Sequence, residues 1–199
     1  HQNDWKNEEL TNFIDLVKIL ENNLLCILFQ FPYSFHNTKE NLQKIENIKS
    51  LTQDLNIAVE VRHKSFLDEK FIEFCKVRNI IFVNIDQPQI SYNIPLTSFC
   101  TNENYSYFRF HGRKEQTWFS ENSKSFERYN YIYNENEIEE LKEAILKNSA
   151  PNIIVSFNNH YKAKAIINAI ELKEKLGEKS IISFQQIKRN IDKKDENLI

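Results

Sequence analysis

Apolar residues recur at intervals of three and four between Asp4 and Asn22, where Leu10, Phe13, Ile14, Val17 and Leu20 form one stripe and predict an opening helix. The pattern then changes. Leu24 to Phe31 is a compact apolar run closed by Pro32, short enough for a strand buried on both faces, as a parallel sheet requires. Helical spacing returns after Thr38, a residue suited to cap a helix whose stripe is Leu42, Ile45, Ile48, Leu51 and Leu55. Ile57 to Val61 predicts a second strand, Leu67 to Arg78 a short helix around Phe71, Ile72, Phe74 and Cys75, and Ile80 to Ile85 a third strand. A loop containing Pro88 and Pro95 leads to a fourth strand, Tyr105 to Phe110. After a long aromatic loop with Trp118, Tyr129, Tyr131 and Tyr133, Asn134 and Glu137 have the spacing of a capping box and head a helix running towards Asn148. Ile153 to Phe157 is the fifth strand. Ala163, Ile166, Ile167, Ala169 and Ile170 mark a last helix, with Gly177 placed to end it. Residues 1–177 read as one domain and 178–199 as a polar, flexible extension, its charged run following Gln185.

Repeated strand–helix units imply parallel strands joined by right-handed crossovers, which leaves an open doubly wound sheet or a closed (β/α)₈ barrel. The faces of the strands discriminate. With side chains alternating, Ile57, Val59 and Val61 leave Ala58, Glu60 and Arg62 opposite them, and Ile81, Val83 and Ile85 leave Phe82, Asn84 and Asp86. Likewise Phe108 and Phe110 leave Tyr107, Arg109 and His111, and Ile153, Val155 and Phe157 leave Ile154, Ser156 and Asn158. This reading sets Glu60, Arg62, Asp86 and Arg109 on one inner face. Buried unpaired charge costs several kcal/mol per group, so the wet mouth of a barrel suits them better than a sheet covered on both sides. The expected fold class is therefore α/β, a TIM-type (β/α) barrel.

Composition narrows the function classes. The 199 residues are 41% hydrophobic and 27% charged, ordinary for one globular domain, and a net charge of −2 supplies no general pull on nucleic acid or anionic lipid. No apolar run approaches the ~18 residues of a bilayer span, so no membrane partner is expected. Cys26, Cys75 and Cys100 are scattered without a CxxC, which encodes neither a disulfide framework nor a zinc knuckle and makes a reduced, cytoplasmic location the expectation. With only Gly112 and Gly177 present, Gly-rich phosphate loops are excluded. The chain contains no methionine, and residues upstream of His1 are expected.

FQFP at Phe29 to Pro32, EVRHKSF at Glu60 to Phe66, YFRFHGR at Tyr107 to Arg113, and FNN at Phe157 to Asn159 followed by Asn168-Ala169 together resemble the DUF72 family, which includes YecE-like proteins. RYNYIYN, Arg128 to Asn134, is similar to that family's tyrosine-rich segment. The resemblance implies a TIM-barrel fold with no established activity. It further implies that the chain begins near the end of the third strand, leaving an incomplete barrel of about the last five strands, a truncated copy. An open edge at Leu24 to Phe31 would then invite self-association, since no proline or lysine within it blocks pairing. Tyr33 stands where the family has a second proline, and Phe66 where it has tryptophan.

Arg62 and Arg109 can clamp a phosphate or carboxylate bidentately, or serve as barrel scaffolding paired with Glu60 and Asp86. His111 is a candidate general acid or base with Glu60 and Asp86, or a partner for a carbonyl in the turn at Gly112. Gln30, Asn158, Asn159, His63 and Tyr107 complete the candidate binding set. Glu60, His63, Asp86 and His111 are types that can ligate zinc or manganese, but the adjacent arginines oppose a cation, and neither a metal nor any other cofactor is assigned. Trp118, Tyr129, Tyr131 and Tyr133 can stack on bases or form a packed lid, and nucleic acid is a less favoured partner than a small anionic ligand. His36 reads as a loop or core residue, and His160 as the start of the last helix. Two main classes stay open: an enzyme acting on an anionic substrate, and a non-catalytic binding protein or inactive remnant. A metal-dependent nucleic-acid phosphodiesterase is a further alternative.

Overall fold

The computed structural model describes residues 6–90, 92–115, 129–180 and 183–186. Helix α1 (Asn7–Val17) continues into a 3₁₀ segment, Lys18–Asn23, broken at Glu21, whose φ is 46°. The continuous helix expected there thus ends early. Strand β1 (Ile27–Gln30), α2 (Lys39–Thr52), β2 (Ile57–Glu60), α3 (Glu69–Val77) and β3 (Ile81–Asp86) follow in alternation. Then come β4 (Tyr105–Phe110), α4 (Glu135–Leu146), β5 (Asn152–Phe157) and α5 (Lys164–Lys175). The strands form one parallel sheet in the order β1-β2-β3-β4-β5.

Local chemistry sets the helix ends. Thr38 Oγ1 accepts from Asn41 N at 3.3 Å and starts α2, while Asn134 and Glu137 close a capping box at the head of α4. At the end of α5, Gly177 takes φ 82°; its N–H donates to Glu174 O at 2.9 Å and that of Glu178 to Lys173 O at 3.0 Å, a Schellman closure.

Register assigns the faces. Val59 lies beside Phe82, Asn84 beside Phe108, and Phe110 beside both Asp86 and Phe157. The helices cover this face: Ile45 and Ile48 of α2 and Phe71 and Cys75 of α3 pack with Val59 and Phe82, while Ile138 and Leu141 of α4 and Leu172 of α5 pack with Phe108 and Phe110. The opposite face carries Ala58, Ile81, Val83 and Ile85, flanked by Leu28 and Tyr107.

Two expectations change. In β3 the alternation has the opposite phase to the one expected: Phe82, Asn84 and Asp86 lie on the helix-covered face, and Ile81, Val83 and Ile85 on the other. All of β3 is buried, so either phase of IFVNID presents apolar side chains to a covered surface and polarity cannot mark the inner face. Strand β1, expected to be buried on both faces, is only half-buried after Ile27, and among the described residues it pairs with β2 alone. Among the described residues, no helix is long and apolar enough to cross a membrane. Of the extension from 178 to 199, 181–182 and 187–199 lie outside the described residues, as do Trp118 and Arg128.

Candidate functional site

Parallel strands bring their C-terminal ends to one edge of the sheet. Gln30 ends β1 opposite Glu60, which ends β2, and Arg109 sits beside Ile85 on β3 and Ser156 on β5. Period two then places Arg62, His111 and Asn158 just beyond those ends, on the face away from the helices. Glu60 is the centre. Its Oε1 accepts from Arg62 Nε at 3.1 Å and Nη2 at 2.9 Å, and its Oε2 accepts from Arg109 Nη1. Arg109 Nη1 also donates to Gln30 Oε1 at 2.8 Å, which links β1, β2 and β4 through one guanidinium.

His111 stands behind the carboxylate. Its Nε2 lies 3.1 Å from Glu60 Oε1 and its Nδ1 3.0 Å from Asn158 Nδ2. Burial disfavours the charged form of Glu60, yet His111, Arg62 and Arg109 outweigh it and hold the carboxyl well below its ordinary range. Burial pushes His111 below its ordinary imidazole value, against the pull of Glu60 and assisted by the two arginines. An ionised carboxylate only accepts, so with Nδ1 accepting from the Asn158 amide the ring carries its proton on Nε2, the nitrogen that faces Glu60 Oε1 at 3.1 Å. Glu60 and His111 have no exposed surface, whereas the side chains of Arg62 and Arg109 keep 16% and 12%.

Asp86 is not part of this group. Sitting on the helix-covered face, it accepts from Arg113 Nε at 3.0 and 3.1 Å and from Tyr133 Oη at 2.7 Å. Burial raises its carboxyl despite those partners, and burial beside Asp86 raises the Tyr133 phenol. Arg113 reaches on to Glu140 at 2.6 Å. The two clusters meet through the backbone, since His111 N donates to Asp86 O at 2.8 Å and Gly112 N to Tyr133 Oη at 2.7 Å. Gly112 has φ 90°, and a Cβ there would lie 2.6 Å from Tyr131 Cβ, so only glycine lets the chain turn against that ring. The Arg113–Tyr133 network was missed from sequence because its members depended on the phase of β3.

The remaining candidates divide. Tyr107 is on the inner face and its hydroxyl accepts from Ser156 Oγ at 3.3 Å, one step below the arginines. Asn159 is fully buried and donates to Tyr131 O and Asn168 Oδ1, tying the loop to α5 rather than facing the mouth. His63 stacks on His36 with ring centroids 4.0 Å apart, a partner that sequence reading did not give His36. Tyr133 is core, Tyr131 donates to Glu137, and Tyr129 stacks on His160, which precedes a 3₁₀ turn rather than α5 itself. Among the described residues, no three His, Cys, Asp or Glu side chains gather to hold a metal ion.

The family described as "Protein of unknown function DUF72" matches residues 1–191. The chain belongs to the DUF72 family. The UPF0759 protein YunF of Bacillus subtilis (strain 168) is 33% identical over 185 residues, covering 87% of this chain and 66% of YunF. A DUF72 protein from Thermotoga maritima MSB8 superposes with TM-score 0.79 at 35% identity, over 86% of this chain and 66% of that one. One from Enterococcus faecalis V583 gives 0.81 at 33%, over 88% and 68%. This DUF72 chain thus spans just under two thirds of the length of YunF and of the Thermotoga protein. The motifs that resemble the family end at the cluster: FQFP supplies Gln30, EVRHKSF supplies Glu60 and Arg62, YFRFHGR supplies Arg109 and His111, and FNN leads into Asn158.

Proposed function

We propose that Arg62 and Arg109 bind the anionic group of a phosphate- or carboxylate-bearing substrate, as part of an enzyme active site at the C-terminal mouth of a (β/α) barrel of which this chain supplies about the last five strands. One observation carries the reading: two guanidinium groups share one buried carboxylate, Glu60. The two arginines and Glu60 together carry an excess of one positive charge, and both arginine side chains keep part of their surface exposed, whereas Glu60 keeps none. An arriving anion gains charge-assisted hydrogen bonds from donors already held in place by Glu60 and Gln30. The barrel reading draws on an unbroken β1-to-β5 order, helices on one face, and polar groups where barrel enzymes keep their sites.

In this assignment Arg62 and Arg109 contact the ligand, Glu60 and Gln30 orient them, and His111 and Asn158 brace Glu60. Asp86 acts outside the site. A second reading, a non-catalytic binding protein, is favoured by the engagement of both His111 ring nitrogens with protein groups. Calorimetric titration with inorganic phosphate and with acetate tests the binding role. At least one should bind, with affinity falling tenfold or more in Arg62→Gln and Arg109→Gln; unchanged affinity in both variants defeats the reading. Phosphate release from a panel of phosphomonoesters separates the classes: turnover lost in His111→Gln while phosphate still binds marks an enzyme, and no turnover with intact binding marks a binding protein.

A further inference from the structure

Four rings stand on the loops that leave β1, β2 and β3, next in the chain to the arginine site. His36 and His63 lie face to face with centroids 4.0 Å apart at 29°. Tyr33 meets His63 edge-on at 5.3 Å and lies 5.9 Å from Tyr92. His63 immediately follows Arg62, so their Cα atoms are about 3.8 Å apart.

The platform is held by backbone rather than by collapse. Lys64 N donates to Tyr92 O at 2.8 Å and Ile94 N to Arg62 O at 2.9 Å, on either side of an antiparallel bridge between His63 and Asn93. Gln87 Nε2 fastens the same pair of segments by donating to Arg62 O at 3.1 Å and Ile94 O at 3.2 Å. Across the other gap, Asn37 N donates to Ser65 Oγ at 2.9 Å and Asn37 Nδ2 to Ser65 O at 3.1 Å. Ser65 N in turn donates to His63 Nδ1 at 3.2 Å and orients that ring.

Core packing does not account for these rings. Phe31, Phe35 and Phe66, from the same loops, form their own buried stack at centroid distances of 4.0 and 5.8 Å. The histidine and tyrosine rings stay outside it: Tyr92 is 49% exposed, His36 is exposed, and Tyr33 and His63 are half-buried. Rings with polar edges, fixed in place and left partly wet, are suited to a planar group that stacks on their faces and hydrogen-bonds at its rim.

We propose that Tyr33, His36, His63 and Tyr92 form a stacking platform, and that the ligand of the arginine site carries a planar heteroaromatic ring beside its anionic group. This inference rests on the anion-binding reading above and names the class of substrate it takes, a nucleoside-monophosphate-like compound. Calorimetric titrations with inorganic phosphate, ribose 5-phosphate, phenyl phosphate and adenosine 5′-monophosphate test it. Stacking of one base is worth enough to make adenosine monophosphate roughly tenfold tighter than ribose 5-phosphate, with phenyl phosphate in between. Tyr92→Ala with His36→Ala should bring adenosine monophosphate down to the affinity of ribose 5-phosphate. Both positions are exposed, and circular dichroism verifies that the doubly substituted protein is folded. Equal affinity of the wild type for the two compounds, or an unchanged ratio in the folded double variant, overturns the platform and leaves the anion site standing. Failure of every phosphate compound to bind overturns the platform, and failure of acetate as well removes the anion site with it.

Discussion

Replacing Glu60 by glutamine keeps the side-chain volume and leaves no cavity, so its effect reports the lost charge and the acceptor oxygen lost with it. The amide can still accept from one arginine, but it no longer offsets two guanidinium groups that keep only 16% and 12% of their side-chain surface. Removing one partner of a buried ion pair costs about 3–5 kcal/mol, and the residual exposure of both arginines places this case near the lower end, about 3 kcal/mol. For a chain of this length about 1 kcal/mol moves the melting temperature by roughly 2–4 °C, so Glu60→Gln should melt roughly 6–12 °C below the wild type. The same loss should improve anion binding, because arginine donors released from Glu60 become available to a ligand. Inorganic phosphate at a hundredfold excess over its dissociation constant restores about 2.7 kcal/mol, nearly the whole deficit. Thermal unfolding followed by circular dichroism at pH 7, with and without phosphate, measures both effects. A melting temperature within about 2 °C of the wild type, or equal stabilisation of both proteins by phosphate, would refute the argument that Glu60 is the counter-charge of the site.

Tyr133→Phe removes the hydroxyl that receives Gly112 N and donates to Asp86, and should cost about 1–3 kcal/mol in urea unfolding; a loss under about 0.5 kcal/mol would mean that Arg113 alone satisfies Asp86. His111 is held below its ordinary value of 6.5, so as pH falls below that value the unfolded chain takes up a proton that the folded protein resists, and stability declines. His111→Gln should flatten this decline between pH 7 and pH 5, and parallel stability curves would contradict the buried neutral ring. Burial pushes the Cys75 thiol up to about 12, while Cys26 and Cys100 are partly exposed, so a disulfide reagent should label the latter two first and reach Cys75 only on unfolding. Labelling of Cys75 at the rate of Cys26 in the folded protein would count against the packing described for α3.

Much of this architecture could be read before any coordinates. The stripe of α2, the apolar cluster of α3, the caps at Thr38 and Asn134 and the stop at Gly177 are local devices: each depends on residues within a few positions, and local spacing reports them faithfully. The inner face of β2 and β4 was equally legible, because Glu60 and Arg109 alternate with fully buried apolar neighbours and side-chain direction repeats every two residues. Gln30 to Asn158 could therefore be assembled from strand ends once the strands were taken as parallel. The phase of β3 could not. Both of its faces are buried, and only pairing with β2 and β4 shows that Asp86 points to the helices and serves Arg113 and Tyr133. The His36–His63 stack is also invisible along the chain, since its rings come from loops after different strands and meet only when β1 and β2 pair. Periodicity along one segment records which side of that segment is covered; when both sides are covered, or when the partner lies on another segment, the deciding interaction is between strands and exists only in the folded sheet.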